Sequence, residues 1–144
     1  MSESSHNLTL PCSAEEVDAF LSTPQSGALG VLEKVESDIL VLGAGGKMGL
    51  HLCRMLMDAF HRLGKTHTVW AASRFQTLSS REVYEKEGIH TLVGDFENQE
   101  FIDSLPACPI VFYLVGAKFG TSGNPELLRR INVDVSKRIA ERFK

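Results

Sequence analysis

Cysteine is scarce in this sequence, and long apolar runs are missing. Three cysteines occur among 144 residues, and Cys12, Cys53 and Cys108 share no CxxC or other spacing typical of metal sites. An odd number of scattered cysteines favours buried or partly buried thiols in a reducing compartment. No run approaches the roughly 20 apolar residues of a membrane span, and the opening MSESSHNLTL lacks the basic and apolar regions of a signal peptide. These absences predict a cytoplasmic chain with no membrane partner.

An excess of positive charge is also missing. Lys and Arg number 15 against 18 Asp and Glu, which gives a net charge of −3. A nucleic-acid-binding domain carries a clustered basic surface, whereas the basic residues late in this chain alternate with acids. The five histidines are widely spread, without HxxxH or HExxH spacing. We therefore expect no nucleic-acid partner and no metal site.

The N-terminal segment is predicted to form a flexible end followed by a helical extension. Residues 1–12 are polar and serine-rich, as is typical of a flexible terminus. Residues 13–36 carry helix signals, because Ser13 and Glu16 have capping-box spacing and start a helix over about 14–22. A second apolar helical face in this extension is predicted from Ala28, Val31, Leu32 and Val35.

Strands and helices alternate from residue 37 to residue 144. The strands are continuously apolar, which is typical of a parallel sheet covered by helices on both faces. Right-handed crossovers then favour the strand order 3-2-1-4. The predicted strands are 39–42, 67–72, 91–94 and 110–115. The predicted helices are 48–63, 79–86, 99–105 and 125–143. The fold class is therefore α/β, a doubly wound parallel sheet that is truncated after its fourth strand.

The stretch DILVLGAGGKMG joins the first predicted strand to the helix that follows it. A tight glycine turn at a helix N-terminus gathers unpaired backbone N–H groups, which makes a binding site for anions. Gly43 allows the sharp turn, Gly45 and Gly46 let phosphates approach the backbone, and Gly49 lets the helix pack closely. Lys47 either adds a cation beside the site or points to solvent. The alternative is a glycine-rich turn that holds no ligand.

The spacing of this loop separates it from two common phosphate-binding motifs. Both motifs fail at position 48, which is Met48 in this chain. A Walker A loop has Ser or Thr directly after its lysine, and a GxGxxG loop that starts at Gly43 has its last glycine at this position. The observed GxxGxxG spacing resembles that of the extended short-chain dehydrogenase/reductase family, the NAD(P)-dependent epimerases and dehydratases. The resemblance covers residues 38–143. It implies a Rossmann-type NAD(P)-binding domain over residues 37–144, in which Asn132 matches an asparagine of structural role.

The resemblance also implies a cofactor preference. Members of the family that prefer NAD usually carry an acidic residue after the second strand, where this chain has Ser73 and Arg74. A hydroxyl and a guanidinium are suited to bind the 2′-phosphate of NADP by hydrogen bonds and charge. We therefore expect NADP(H), with NAD(H) as the alternative cofactor. The competing interpretation is a serine that caps a turn beside a surface arginine.

Two further matches fall at the ends of later strands. Asp95 and Phe96 resemble the family's contact to the adenine amino group, although an aspartate that only turns the chain remains open. Val115, Gly116 and Ala117 resemble the stretch beneath the nicotinamide ribose. The candidate cofactor-binding residues are therefore Gly43, Ala44, Gly45, Gly46, Lys47, Met48, Gly49, Ser73, Arg74, Asp95, Phe96, Val115, Gly116 and Ala117.

The residues that carry the family's chemistry are not found in this sequence. Family enzymes use a Tyr-x-x-x-Lys pair, in which the lysine lowers the tyrosine pKa and the tyrosine moves a proton. Four residues after Tyr84 and Tyr113 stand Gly88 and Ala117. No catalytic residue can be named, and two hypotheses remain. The chain is either the cofactor-binding part of an epimerase/dehydratase-like oxidoreductase or a non-catalytic module that senses a dinucleotide or binds a partner.

The predicted topology also leaves one sheet edge open. A sheet that ends at its fourth strand exposes unpaired backbone groups, which can pair with another copy of the chain. We therefore expect a homodimer, formed through that edge or through the N-terminal helices.

Overall fold

Four parallel strands form the centre of the fold, with helices on both faces. The computed structural model describes residues 10–117 and 123–144. The strands are β1 Ile39–Leu42, β2 Val69–Ser73, β3 His90–Val93 and β4 Ile110–Tyr113. The helices are α1 Ala14–Ser22, α2 Ser26–Leu32, α3 Gly49–Arg62, α4 Leu78–Lys86, α5 Gln99–Ser104, α6 Pro125–Arg129 and α7 Val135–Arg142. A π-helical turn, Arg130–Asp134, joins α6 to α7.

The strand order is β3-β2-β1-β4, which confirms the predicted α/β doubly wound sheet. In the parallel register Leu42 lies beside Ala72 on one side and beside Tyr113 on the other. The carboxyl ends of the strands therefore finish at the same edge of the sheet. The order reverses between β1 and β4, and ligands of such sheets bind at the carboxyl ends beside that point.

Two apolar layers hold the sheet between its helices. All four residues of β1 are fully buried. On one face β1 packs with Cys53, Leu56 and Phe60 of α3, and on the other with Ile102 of α5 and Val135 of α7. Each fully buried aliphatic or aromatic side chain contributes about 1.5–3 kcal/mol relative to an exposed one. This central burial fixes the position of the loop that follows β1.

The strand boundaries differ from the predicted ones by one or two residues. β2 was predicted over 67–72 but spans Val69–Ser73, because the N–H of Thr68 donates to the Asp38 carboxylate at 2.8 Å instead of joining a ladder. β4 was predicted to reach residue 115 but ends at Tyr113. Both shifts leave the predicted site residues beside the carboxyl ends of the strands.

The two N-terminal helices lie beside α3. The predicted helix over 14–22 is confirmed as α1, and the Ser13 hydroxyl accepts a hydrogen bond from the N–H of Glu16 at 3.2 Å. The predicted apolar face of α2 is wrong at Val31, which is 66% exposed. Packing uses a three-residue spacing instead, with Leu29, Leu32 and Val35 against the core.

The predicted domain boundaries at residues 13 and 37 stay predictions, and most of the predicted flexible segment 1–12 lies outside the described residues. Within 10–117 and 123–144, no helix combines the length and apolar character that crossing a membrane requires.

Candidate functional site

A cleft opens at the carboxyl ends of the strands. It consists of two adjoining cavities, of about 800 Å³ and about 420 Å³, which share Gly43, Gly46, Arg74, Phe96 and Val115 in their walls. The larger cavity extends toward α6, the π-helical turn and α7, and the smaller one toward the segment between β2 and α4. These volumes are in the range of small-molecule sites, about 300–1,000 Å³.

Every predicted cofactor-binding residue except Ala44 lines this cleft. Ala44 is fully buried, its N–H donates to the Ala72 carbonyl at 3.2 Å, and its own carbonyl accepts the Tyr84 hydroxyl at 2.5 Å. The structure therefore places Ala44 behind the glycine turn, where it supports the turn and is not accessible to a ligand.

The glycines of the turn serve different purposes. Gly43 has a φ of +80°, and a Cβ there would lie 2.7 Å from the carbonyl carbon of Leu114. A Cβ at Gly45 would lie 2.6 Å from the Ser73 hydroxyl oxygen, so this glycine makes room for Ser73. Its role in the approach of phosphates stays a prediction. The atom nearest to a Cβ placed on Gly46 would be the Gly43 carbonyl oxygen, at 3.3 Å, so this glycine leaves its cleft side open.

Hydrogen bonding determines which amides of the turn remain available. The N–H of Gly43 donates to Ala72, and those of Gly46 and Gly49 donate to Gly43 and Gly46. Within the described part of the chain, the N–H groups of Gly45, Lys47 and Met48 have no acceptor. These three donors precede α3, a helix of 14 residues whose dipole adds positive potential at its start. An anion bound here would satisfy groups that otherwise remain unpaired.

Two cations stand beside these amides. Arg74 is exposed at the end of β2 and lines both cavities, and Lys47 lines the larger one. Neither has a hydrogen bond or an ion pair with any residue in the ranges that the structure describes. The cleft therefore combines three free amides with two free positive charges, which suits a ligand with more than one phosphate.

Asp95 has the geometry of a turn. Its carboxylate accepts the N–H of Glu97 at 2.9 Å, and its carbonyl accepts the N–H of Asn98 at 3.0 Å. The alternative of an aspartate that turns the chain is thus realised, although Asp95 also lines the larger cavity. Phe96 follows it, is 6% exposed and packs against Phe101 at a ring distance of 5.5 Å.

The last helical segment supplies an apolar wall of the cleft. Leu127, Ile131 and Val135 line the larger cavity together with Leu114. The regular helix predicted over 125–143 has the inward face Leu128, Ile131, Val135 and Ile139. The structure brings Ile131 and Val135 to the cavity as predicted, and it adds Leu127 in place of Leu128. The spacing of four between Leu127, Ile131 and Val135 is the signal that the sequence offers.

The same segment fastens the two loops that flank the larger cavity. Asn132, within the π-helical turn, accepts the N–H of Ala117 at 2.8 Å and donates to the Ala117 carbonyl at 3.1 Å. Arg130 pairs with the Glu97 carboxylate, and Arg138 donates to the Glu97 carbonyl at 3.1 Å. π-helical turns occur frequently at functional sites. Here the π-helical turn contains Asn132, whose side chain binds both the N–H and the carbonyl of Ala117.

Two of the solved structures that match this chain share its fold over about three quarters of its length. Pen from Bacillus thuringiensis matches with a TM-score of 0.61 at 19% identity, over 74% of this chain and 33% of that protein. A protein provisionally assigned as a short-chain oxidoreductase from Thermus thermophilus matches with a TM-score of 0.56 at 15% identity, over 72% of this chain and 50% of that protein. The fold is Rossmann-like.

At these identities the similarity shows the fold alone. The chain spans about one third and one half of the lengths of these two proteins. The sequence matches no protein-family model and no curated protein.

Neither tyrosine lines the cleft of this Rossmann-like fold. The Tyr84 hydroxyl donates to Ala44, and burial raises its pKa to about 12. The Tyr113 hydroxyl is buried without a hydrogen-bond partner among the described residues, and burial raises its pKa as well. In the described ranges, no three His, Cys, Asp or Glu side chains come close enough to hold a metal ion.

Proposed function

We propose that this chain is the NADP(H)-binding domain of an oxidoreductase of the epimerase/dehydratase type, whose catalytic pair lies outside it. One observation carries the proposal. The free amides of Gly45, Lys47 and Met48 lie in the same cleft as the unpaired guanidinium of Arg74, at the reversal point of a parallel sheet. This is where the order of strands favours dinucleotide binding.

In the proposed complex the pyrophosphate binds at the glycine turn before α3. Ser73 and Arg74 bind the ribose 2′-phosphate from the smaller cavity, and the adenine lies beside Asp95 and Phe96. The nicotinamide ribose lies along the loop after β4, whose position Asn132 fixes through its two hydrogen bonds to Ala117.

Calorimetric titration of the 144-residue chain with NADP⁺ and NAD⁺ in parallel tests this proposal. NADP⁺ is expected to bind at least about tenfold more tightly, because charge-assisted hydrogen bonds to the 2′-phosphate contribute about 1.5–3 kcal/mol. Absence of heat with both nucleotides, together with an unchanged melting temperature, would overturn the assignment. Equal affinity for the two would keep the dinucleotide site and remove the preference.

Arg74→Ala should weaken NADP⁺ binding by roughly 1.5–3 kcal/mol and leave NAD⁺ affinity unchanged. The reason is that NAD⁺ lacks the phosphate to which the guanidinium would donate. Arg129→Ala is the matched control, since Arg129 is an exposed arginine that lines neither cavity. Titration of both variants with both nucleotides gives the comparison, and equal losses for NADP⁺ and NAD⁺ would remove Arg74 from the 2′-phosphate.

A homodimer belongs to the same proposal. In the described part of the chain β4 pairs only with β1, and all four of its residues are half-buried. Val17, Phe20 and Leu21 on α1 are 39%, 40% and 49% exposed, which offers a second apolar surface. We expect a dimer in analytical ultracentrifugation at high protein concentration, and a stable monomer throughout the series would contradict this part of the proposal.

A further inference from the structure

Phe75 has an unusual backbone for an aromatic residue. Its φ is +39°, and it is the one non-glycine residue with positive φ among those that the structure describes. A bulky side chain rarely adopts this left-handed conformation, which persists only where the surrounding structure fixes it. The chain therefore adopts an unfavourable backbone conformation directly after Arg74.

The surroundings hold the Phe75 side chain on two sides. The residue is 8% exposed, and its ring meets the Tyr84 ring edge-on, at a centroid distance of 5.1 Å and an angle of 72°. Its Cδ1 atom lies 3.8 Å from the position that a Gly45 Cβ would take. Tyr84 in turn donates its hydroxyl to the Ala44 carbonyl at 2.5 Å. Phe75 is thus held between α4 and the glycine turn.

This arrangement fixes the backbone from which the Arg74 side chain extends. The guanidinium has no hydrogen bond or ion pair within the described ranges, so no side-chain partner orients it. The place and direction in which the side chain leaves the backbone therefore depend on the backbone at Arg74 and Phe75, which the buried Phe75 ring restrains. Ser73, Arg74 and Phe75 all line the smaller cavity.

We infer that Phe75 is a specificity-determining positioning residue, which holds Arg74 toward the 2′-phosphate through its left-handed backbone and its buried ring. The inference rests on the proposed function. Phe75 acts through Arg74, so its removal should affect the nucleotide that carries the phosphate and spare the one that lacks it.

Phe75→Gly is the variant that tests the inference, because glycine tolerates the positive φ but removes the ring and the restraint. The ratio of NADP⁺ to NAD⁺ affinity should fall about tenfold or more, as for the loss of a charge-assisted hydrogen bond, while NAD⁺ affinity stays within about twofold. The double variant Phe75→Gly/Arg74→Ala should lose no more of the ratio than Arg74→Ala alone, since both act on one interaction. A merely structural role would not produce this non-additivity.

Tyr84→Phe gives a matched comparison. It keeps the ring beside Phe75 but removes the hydrogen bond to Ala44, so it should weaken NADP⁺ and NAD⁺ by the same factor and preserve their ratio. If the glycine variant does not fold, Phe75→Leu tests the role of Phe75, because leucine keeps an apolar side chain in the core. The leucine variant should also lose the preference.

The outcomes separate the two proposals. If the unmodified chain binds neither nucleotide, the proposed function fails and the inference with it. If it binds both equally, the dinucleotide site stands, but the preference for NADP⁺ and the inference fail together. If the unmodified chain prefers NADP⁺ but folded Phe75 variants keep the ratio, or lose both nucleotides equally, only the role of Phe75 is overturned.

Discussion

Gly49→Ala is expected to destabilise the fold by about 3 kcal/mol or more, which exceeds most overpacking substitutions. A Cβ at Gly49 would lie 1.8 Å from the carbonyl oxygen of Ala44 and 2.5 Å from its Cα. These are backbone atoms, so no side-chain rotation relieves the overlap. Ala44 is itself held by hydrogen bonds to Ala72 and Tyr84, and the turn cannot retreat without breaking them.

Urea unfolding followed by circular dichroism measures this loss, with two other glycines as controls. At Gly30, in α2, an added Cβ meets no atom within 4 Å, so Gly30→Ala should raise stability by up to about 1 kcal/mol. Gly64 has a φ of +66° and equally open space, so Gly64→Ala isolates the conformational strain from the overlap. A Gly49→Ala protein as stable as the Gly64→Ala protein would refute the close packing of α3 on the turn.

Ionisation of Cys53 alone should lower the free energy of unfolding by about 3–4 kcal/mol between pH 9 and pH 12, on the basis of about 1.4 kcal/mol per pKa unit. Burial without a charge partner raises the pKa of the Cys53 thiol from 9.0 to about 12. Above pH 9 the unfolded chain releases this proton while the folded chain retains it. The stabilisation is therefore fully present below the pKa of the thiol in the unfolded chain. It is lost as the pH rises through the pKa of the thiol in the folded chain.

Denaturant titrations at intervals from pH 8 to pH 12 give the profile. Cys53→Ala should make the profile less steep above pH 9. A smaller decline should remain, because burial raises the pKa of Tyr84 to about 12 and also raises the pKa values of Cys108 and Tyr113. Cys12→Ala is the control, because Cys12 is exposed and its removal should leave the profile unchanged. An identical slope in the Cys53→Ala protein would show that α3 does not bury this thiol as the structure has it.

The strand order and the position of the cleft could be predicted from the sequence because both follow from local patterns. Continuous apolar runs mark buried parallel strands, and right-handed crossovers leave few possible orders for them. Once the strands are placed, the residues that follow Leu42, Ser73, Val93 and Tyr113 must meet at one edge. All but one of the candidate residues could therefore be assigned to the cleft before any of their contacts were known.

The individual roles within the glycine turn could not be predicted in the same way. The close approach of Ser73 to Gly45 and the burial of Ala44 in the core depend on side chains from another strand and another helix. For Asp95 the sequence left two alternatives open, a contact to adenine and a turn of the chain, because aspartate is suited to both. Such choices are made by tertiary packing, and a single sequence does not contain the distances that decide them.

The π-helical turn changes how the last helical segment should be compared with other sequences. In a regular α-helix a step of four residues overshoots a full turn by about 40°, so three residues at that spacing drift around the axis. The wider turn at Arg130–Asp134 offsets the drift, and Leu127, Ile131 and Val135 keep to one line along the cavity. The π-helical turn holds one residue more than a regular α-helical turn, so comparison with a protein whose matching helix is regular requires a one-residue insertion between residues 130 and 134. Without that insertion, positions before the turn are compared with residues that face another direction.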